Sequence, residues 1–342
     1  MDVALEPKFL HRRTRLGRWW ESKSVRRFRR NPLAIVGLFI VVAFVVIATI
    51  APLITPLGRN CVRDLGLTPA TATSVRNPTN PAFWQVLFSP PGSCYKMPRV
   101  GFSPIPQPAA TSGTVLGTTS QGYDIYYGLM WGARTAFRIG VIVVGIGLTI
   151  GLIVGATAAY VGGWVDNVLM RFTDVIIAVP ALVLALVIVM VLGNSIVNLM
   201  IAIAAVAWPG YARLIRGEVL RIKELEYVTG ARALGRQGAG IVFRHILPNA
   251  IGPVLIVASL DIGSIVLTAA ALSFLGLGPE LGYTDWGQMI SFARNWILGP
   301  PGQPLAYWYT SFWPGLTIVL FVLGWNLLGD AFRDVLDVRS NT

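Results

Sequence analysis

The stretch LAIVGLFIVVAFVVIATIAPLI, residues 33–54, decides the fold class of this 342-residue chain. It contains no charged side chain, and an α-helix of this length, rising about 1.5 Å per residue, crosses the roughly 30 Å hydrocarbon core of a bilayer. The sequence therefore predicts an all-α polytopic membrane protein with six transmembrane helices. The other five spans are expected at 139–160, 175–192, 196–211, 250–277 and 312–329.

The composition agrees with this class. Hydrophobic residues make up 54% of the chain and charged residues 13%, with a mean hydropathy of +0.63. These values exclude a soluble or disordered protein. A transmembrane β-barrel is excluded as well, because it would show short alternating segments instead of long uncharged ones.

The distribution of positive charge predicts the orientation. Ten of the 28 Lys and Arg residues lie within the first 31 positions, seven more lie in 212–248, and 278–311 holds only Arg294. Cytoplasmic loops carry an excess of Lys and Arg, so both termini and 212–248 are expected inside the cell. The stretch 33–54 is too long for a cleaved signal peptide, whose apolar region spans about 7–15 residues. The basic N-terminus is expected to contact anionic lipid; nucleic acid is the weaker alternative.

The predicted spans divide the chain into segments of different character. The expected parts are a basic cytoplasmic segment at 1–32, a first transmembrane helix at 33–54, a Pro-rich extracytoplasmic insert at 55–134, a core with five transmembrane helices at 135–329 and a cytoplasmic tail at 330–342.

Both cysteines of the chain, Cys61 and Cys94, lie in the insert. An oxidising location makes a disulfide between them a reasonable interpretation. Two unpaired thiols are the alternative, since a sequence does not show how far apart the Cα atoms lie.

Several residues within the spans suggest packing or a pathway. Gly147, Gly151 and Gly155 recur every four residues and predict a face that another helix can approach closely. Pro180 and Pro209 are expected to kink or end their helices. Asp261 lies near the middle of the fifth span, where it lines a pathway or is satisfied by hydrogen bonds between helices.

The segment 285–297, DWGQMISFARNWI, has large apolar residues at helical spacing. This pattern predicts a short amphipathic helix lying at the outer membrane interface.

Catalytic chemistry is not expected. The only histidines are His11 and His245, which cannot form a His-based metal cluster, and the sequence has no G-x-x-x-x-G-K-[ST] phosphate loop. The chain is therefore not expected to be an enzyme, to hold a metal or to bind a cofactor. Energy for any transport must come from a partner or from an ion gradient.

The loop 212–248 reads ARLIRGEVLRIKELEYVTGARALGRQGAGIVFRHILP. Its segments EYVTGARALG and FRHILPN resemble the cytoplasmic coupling motif of ABC importer permeases, E-A-A, three residues, G, nine residues, I-x-L-P. Ala231, Gly235, Leu247 and Pro248 match this pattern. Departures from it occur at Thr229, Gly230 and His245.

Other segments are similar to the C-type permeases of bacterial dipeptide, oligopeptide and nickel importers. They include LGTTSQGYD at 116–124, WPGYARLIRGEVL at 208–220, ALSFLGLG at 271–278 and NLLGDAFRDVLD at 326–337. The resemblance covers roughly residues 25–55 and 115–340 and leaves the Pro-rich part between 57 and 114 unexplained.

The resemblance implies an inner-membrane permease that pairs with a similar second permease, docks two cytoplasmic ATPases that bind ATP and Mg, and receives substrate from an extracytoplasmic binding protein. Di- or oligopeptides are the expected substrate. A coupling helix is expected at 229–235. The residues expected to contact the ATPase are Glu226, Thr229, Gly230, Ala231, Arg232, Gly235, Arg236 and Pro248. The alternative is a gradient-driven secondary transporter with Asp261 as its ion site.

Overall fold

The structure is a computed structural model that describes residues 28–68, 76–77, 80–101, 103–234 and 239–336. Within these ranges it is helical, and the only β-type pairings are isolated bridges. Its main helices are α1 Pro32–Ile54, α2 Ile125–Val161, α3 Gly163–Ala178, α4 Ala181–Leu192, α5 Ile196–Lys223, α6 Glu226–Ala233, α7 Leu247–Leu272, α8 Trp286–Ala293 and α9 Tyr309–Leu336. Short helical segments lie at Arg59–Asp64, Pro81–Phe88, Gly92–Tyr95, Ala109–Ser112 and Ala239–Ile241.

Five helices of the described residues are long and apolar enough to cross a membrane: α1, α2, α5, α9 and the continuous helical stretch Val242–Leu277 that contains α7. The pair formed by α3 and α4 also passes as a sixth span, but it is bent by 87°. The break at Pro180 confirms the predicted kink or helix end, and the boundary predicted at residue 175 differs because α3 already begins at Gly163. The bend falls where Val179 is extended and Pro180 precedes the first residue of α4, because proline disfavours a helical conformation in the residue before it.

Two predicted boundaries also differ from the structure. Helix α2 begins at Ile125, well before residue 139, and the Asp124 carboxylate caps it by accepting a hydrogen bond from the Tyr127 amide. Residues 125–134, assigned to the insert, are thus the first turns of α2. They are helical because their aromatic side chains pack into the bundle, where Tyr127 and Trp131 are fully buried.

Helix α5 does not end at residue 211 but continues through Pro209 to Lys223. An internal proline removes one backbone hydrogen bond. Burial of Ile215, Val219 and Ile222 along the same side of the extended helix offsets that loss, since burying such a side chain contributes about 1.5–3 kcal/mol.

The small-residue face of α2 is confirmed. A Cβ atom placed on Gly151 would lie 2.5 Å from the Tyr211 Cβ and 2.9 Å from the Ala212 nitrogen. On Gly155 it would collide with the Ala212 carbonyl oxygen. Glycine therefore lets the backbones of α2 and α5 meet, and α2 becomes the centre of the bundle, against which α1 and α7 also pack.

The first and last spans lie side by side. A Cβ atom on Gly37 of α1 would lie 2.6 Å from the Leu327 Cβ of α9. At the end of this contact the Asn31 side-chain amide donates a 3.1 Å hydrogen bond to the Asp334 carboxylate. Helix α9 thus closes the bundle between α1 and α7.

The amphipathic helix expected at the membrane interface forms as α8, but it is buried in the protein. Trp286 and Met289 are at most 2% exposed, and the Trp286 indole packs against Gly132 of α2. The buried Gln288 side chain accepts a hydrogen bond from the Gly282 amide and donates to the Pro279 carbonyl, both 2.8–3.0 Å long. The prediction of an apolar face on this helix is confirmed, but that face packs against the helical bundle instead of lipid.

The insert is attached to the loop before α8. The Met97 amide donates to the Gly282 carbonyl at 2.7 Å, and the Lys96 ammonium lies 2.7 Å from the Glu280 carboxylate. The hydrogen bond and charge of Lys96 lower the pKa of the Glu280 carboxyl. Of the two alternatives for Cys61 and Cys94, the structure has the disulfide, with the Cα atoms 4.5 Å apart.

Candidate functional site

Helix α6 projects from the end of α5 and is held by few contacts. Val228 is its fully buried anchor, and the Leu225 amide before it donates to the Ile222 carbonyl at the end of α5. Most other described side chains of α6 are exposed. The helix is therefore attached to the bundle through Val228, and most of its other described side chains face solvent.

Large apolar side chains are exposed on α6 and in the segment that follows it along the chain. Tyr227 is 46% exposed, Leu234 88% and Phe243 71%. Exposed apolar clusters with polar surroundings are typical of protein interaction sites. Nothing in the spacing of the coupling motif singled out these three residues, although each is a large apolar residue in a basic loop.

The predicted contact residues lie in this region as far as they are described. Glu226 begins α6, the Thr229 hydroxyl donates to the Glu226 carbonyl at 2.9 Å, and Ala231 is half-buried. Gly230 is exposed, and a Cβ atom there would meet nothing within 4 Å. Pro248 is exposed near the start of α7.

The helix begins and ends earlier than predicted, at Glu226–Ala233 instead of 229–235. Gly235, Arg236 and the side chain of Arg232 lie outside the described residues.

Two ion pairs connect α5 to α3, which sequence reasoning did not find. Arg216 makes a bidentate contact with the Asp166 carboxylate at 2.6 Å through both nitrogens, and Arg213 lies 2.6 Å from Asp174. The first pair is partly buried, with side chains 33% and 16% exposed, whereas the second is more than half exposed. The sequence shows acidic residues in one helix and arginines one turn apart in another, but it does not show that these residues pair.

Lys223, the last residue of α5, reaches back to the end of α2. Its ammonium donates to the Ala159 and Tyr160 carbonyls at 3.3 Å. A cation at a helix C-terminus satisfies carbonyls that have no partner within the helix. One end of each of α2, α3 and α5 is thereby joined to the others just before α6.

Asp261 lies on α7 with its side chain half-buried. The exposed Ser264 hydroxyl is 3.5 Å from the carboxylate, and the Tyr211 hydroxyl interacts with it electrostatically. That hydroxyl is buried and makes no hydrogen bond of ordinary distance and angle among the described residues. Within the same part of the chain, no basic side chain lies at ion-pair distance from Asp261.

Comparison with protein families gives two matches. Residues 147–341 match the binding-protein-dependent transport system inner membrane component, and residues 19–69 match the N-terminal TM domain of oligopeptide transport permease C.

Individual relatives agree with these matches. The dipeptide transport system permease protein of Alkalihalophilus pseudofirmus is 34% identical over 329 residues, which cover 96% of this chain and 92% of that protein. The glutathione transport system permease protein of Pectobacterium atrosepticum is 39% identical over 224 residues, covering 66% and 72%. The probable D,D-dipeptide transport system permease protein of Escherichia coli is 38% identical over 224 residues, covering 66% and 73%.

A solved structure of the inward-facing methionine ABC transporter has a chain with a similar fold. The TM-score is 0.50 at 16% identity, and the likeness covers 61% of this chain and 96% of that one. At this identity the likeness concerns the fold alone.

Proposed function

The chain belongs to the family of binding-protein-dependent transport system inner membrane components, and from that premise we propose how its parts contribute to an ABC importer. It is a multi-pass permease subunit of the inner membrane and a transport component, not a catalytic enzyme. The energy is supplied by two cytoplasmic partner subunits that bind ATP and Mg and hydrolyse the nucleotide. A second, similar permease completes the pathway.

Helix α6 is the element that docks to an ATPase subunit. The observation that supports this most directly is that α6 is anchored at Val228 while Tyr227 of α6 and Leu234, which follows it, are exposed, as is Phe243 further along the chain. The residues that border this surface in the sequence are Glu226, Thr229, Gly230, Ala231, Arg232, Gly235, Arg236 and Pro248. Movement of the ATPases would push α6, and the ion pairs at Arg213 and Arg216 would pass the push to α5 and α3 together.

Gly230 offers a clean test of docking. Because a Cβ atom there meets nothing within 4 Å, Gly230→Ala does not disturb the chain's own packing, and the exposed position lets the larger side chain of Gly230→Trp extend into solvent. Only the tryptophan is large enough to obstruct a partner. Overpacking of an interface costs about 1–3 kcal/mol, which lowers the affinity roughly 5- to 150-fold.

The measurement is the binding of the purified ATPase subunits to each variant in nanodiscs, together with ATPase stimulation by the loaded binding protein. Gly230→Trp should insert normally but lose both, while Gly230→Ala should retain both. Wild-type coupling in Gly230→Trp would contradict the docking role of α6.

The cargo that we infer is a di- or oligopeptide, delivered by an extracytoplasmic binding protein. The support is the identity of 34–39% with permeases named for dipeptide, glutathione and D,D-dipeptide transport. Mass spectrometry of the solute that copurifies with the assembled importer tests this directly. A non-peptide solute would contradict it.

The topology we propose places both termini and α6 in the cytoplasm and the insert outside, as the excess of Lys and Arg in 1–31 and 212–248 indicates. The disulfide then lies on the oxidising side of the membrane. A cysteine introduced at Arg236 should be protected from membrane-impermeant thiol reagents in intact cells, and labelling there would overturn this orientation.

Asp261 is proposed to line the pathway. Ser264 and Thr268 follow it at helical spacing on α7, so polar groups recur along one side of a membrane-spanning helix, and such groups avoid lipid. Asp261→Asn should reduce peptide transport while leaving ATPase docking intact, with Ser259→Ala as a control on the same helix. The alternative, a gradient-driven transporter that uses Asp261 as its ion site, is not favoured by the family match.

A further inference from the structure

The helix Pro81–Phe88, here called the insert helix, has a buried and an exposed side. Its sequence PAFWQVLF carries no charge. Ala82 and Val86 are buried against the bundle, whereas Trp84 is 52% and Phe88 74% exposed. The two exposed rings stack on each other with centroids 5.9 Å apart and planes 3° from parallel. An uncharged helix thus directs two large aromatic side chains away from the protein.

Arg134 fixes the position of the insert helix relative to α1. Its guanidinium donates to the Val86 and Leu87 carbonyls at 3.0 and 2.8 Å. The same group donates to the Ala48 carbonyl and, at 3.2 Å, to the Thr49 carbonyl of α1. One side chain therefore holds the C-terminal end of the insert helix against a defined turn of the first span.

This contact gives the depth of the insert helix. Helix α1 has 23 residues and at about 1.5 Å per residue is roughly 35 Å long, slightly more than the ~30 Å hydrocarbon core. Thr49 lies five residues before the end of α1 at Ile54, or about 7–8 Å along its axis. The insert helix is thereby attached near the boundary between headgroups and acyl chains.

The exposed side of α1 gives the same depth for the insert helix. Val42, Val45 and Val46 are 43–48% exposed and form an apolar row on a helix that crosses the membrane. Thr49, whose carbonyl accepts from Arg134, lies one turn above Val45 in that row. The C-terminal end of the insert helix therefore lies beside the end of the lipid-facing row of α1.

We propose that the insert helix lies in the outer membrane interface, with Trp84 and Phe88 buried among lipid headgroups and upper acyl chains. Phe and Trp side chains each bury about 150–250 Å² in such contacts, and amphipathic rings are enriched at this depth. Lipid is the occupant because the surface is continuous with the lipid-facing side of α1. The insert is then anchored to the bilayer as well as to the bundle.

Site-directed spin labelling of the permease complex in lipid nanodiscs tests the proposal. The chain has only two cysteines, and both are in the disulfide, so one introduced cysteine gives one label. The test variants are Trp84→Cys and Phe88→Cys. Phe39→Cys, at a side chain 73% exposed on α1, is the lipid reference, and Arg76→Cys, at an exposed charged position of the insert, is the water reference.

Power saturation compares the access of oxygen, which concentrates in lipid, with that of a water-soluble nickel chelate. Labels at 84 and 88 should show an oxygen-to-nickel ratio several-fold above that of position 76 and near that of position 39. A ratio equal to that of position 76 overturns the proposal. The proposal is also overturned if labels at 84 and 88 show a water-like ratio in the permease complex alone and lose nickel access only when the loaded binding protein is added. That result would identify a protein as the occupant. Intact mass with one label per chain excludes mispairing with Cys61 or Cys94.

Discussion

The packing of α2 on α5 makes a sharp prediction, because one helix contains two glycines in opposite surroundings. A Cβ atom on Gly151 would lie 2.5 Å from the Tyr211 Cβ and 2.9 Å from the Ala212 nitrogen. On Gly145 it would have no neighbour within 4 Å. Gly151→Ala and Gly145→Ala are therefore the same chemical change, on the same helix, with and without a partner in the way.

The expected magnitude follows from these distances. Carbon atoms in contact are normally about 3.5–4.0 Å apart, so Gly151→Ala must move α2 and α5 apart by about 1 Å. The atoms it meets belong to the backbone and a Cβ, which cannot turn aside. Such overpacking costs about 1–3 kcal/mol. The helix-favouring effect of alanine over glycine, about 0.5–1 kcal/mol, is present in both variants and cancels in the comparison.

The assay is thermal unfolding of the purified permease in detergent, followed by tryptophan fluorescence. Gly145→Ala should unfold at or slightly above the temperature of the natural protein, and Gly151→Ala should unfold several degrees below it. Equal unfolding temperatures for the two variants would refute close backbone contact between α2 and α5.

Three further predictions concern other contacts. Arg216→Ala should lower unfolding stability by about 1–2 kcal/mol, because it leaves a partly buried carboxylate without its bidentate partner. Arg213→Ala, at an exposed pair, should cost about 0–1 kcal/mol. Equal losses would contradict the difference in burial between the two pairs. Gln288→Ala should destabilise the protein by about 1–3 kcal/mol and increase hydrogen exchange at 279–285, and unchanged exchange would contradict its role in holding that loop. Replacing Cys61 and Cys94 by serine should cost about 3–4 kcal/mol in the chain-entropy account of a 33-residue separation; free thiols in the natural protein under oxidising conditions, detected by alkylation and intact mass, would refute the bond.

The sequence predicted the class of fold because spanning a membrane depends on local properties. A run of uncharged residues long enough to cross the bilayer, such as α1, needs no information about its neighbours. The glycine spacing on α2 was equally readable, since it sets out one face of a helix. In both cases a property of one segment, its length or its residue spacing, is enough to predict the structure.

Properties that depend on distant partners were not readable in this way. The apolar face of α8 is the same whether lipid or protein covers it, and only the position of Gly132 and Trp286 in space decides for protein. Similarly, Pro209 could end or continue its helix. The burial of Ile215 and Val219 beyond it favours continuation, and that burial is tertiary.

The coupling region shows the same division. The motif around Ala231 and Pro248 located the loop, because the order of residues along the chain is enough for that. The exposed Tyr227 and Phe243 and the pair of Arg216 with Asp166 emerged only when α6 and the ends of α3 and α5 were placed in space. Their chemistry is ordinary, and it is their arrangement that distinguishes them.

The contact between α1 and α9 has a consequence for biogenesis. Asn31 forms its hydrogen bond with Asp334 across a separation of 303 residues. At a synthesis rate of about 5–20 residues per second, the ribosome needs roughly 15–60 s to make the second partner after the first. Throughout that interval the groove at Gly37 has no helix to fill it, so α1 must wait in the bilayer as an independent helix. Any truncated chain that lacks α9 leaves this groove uncovered, and quality-control proteases can therefore recognise the unpaired surface of α1.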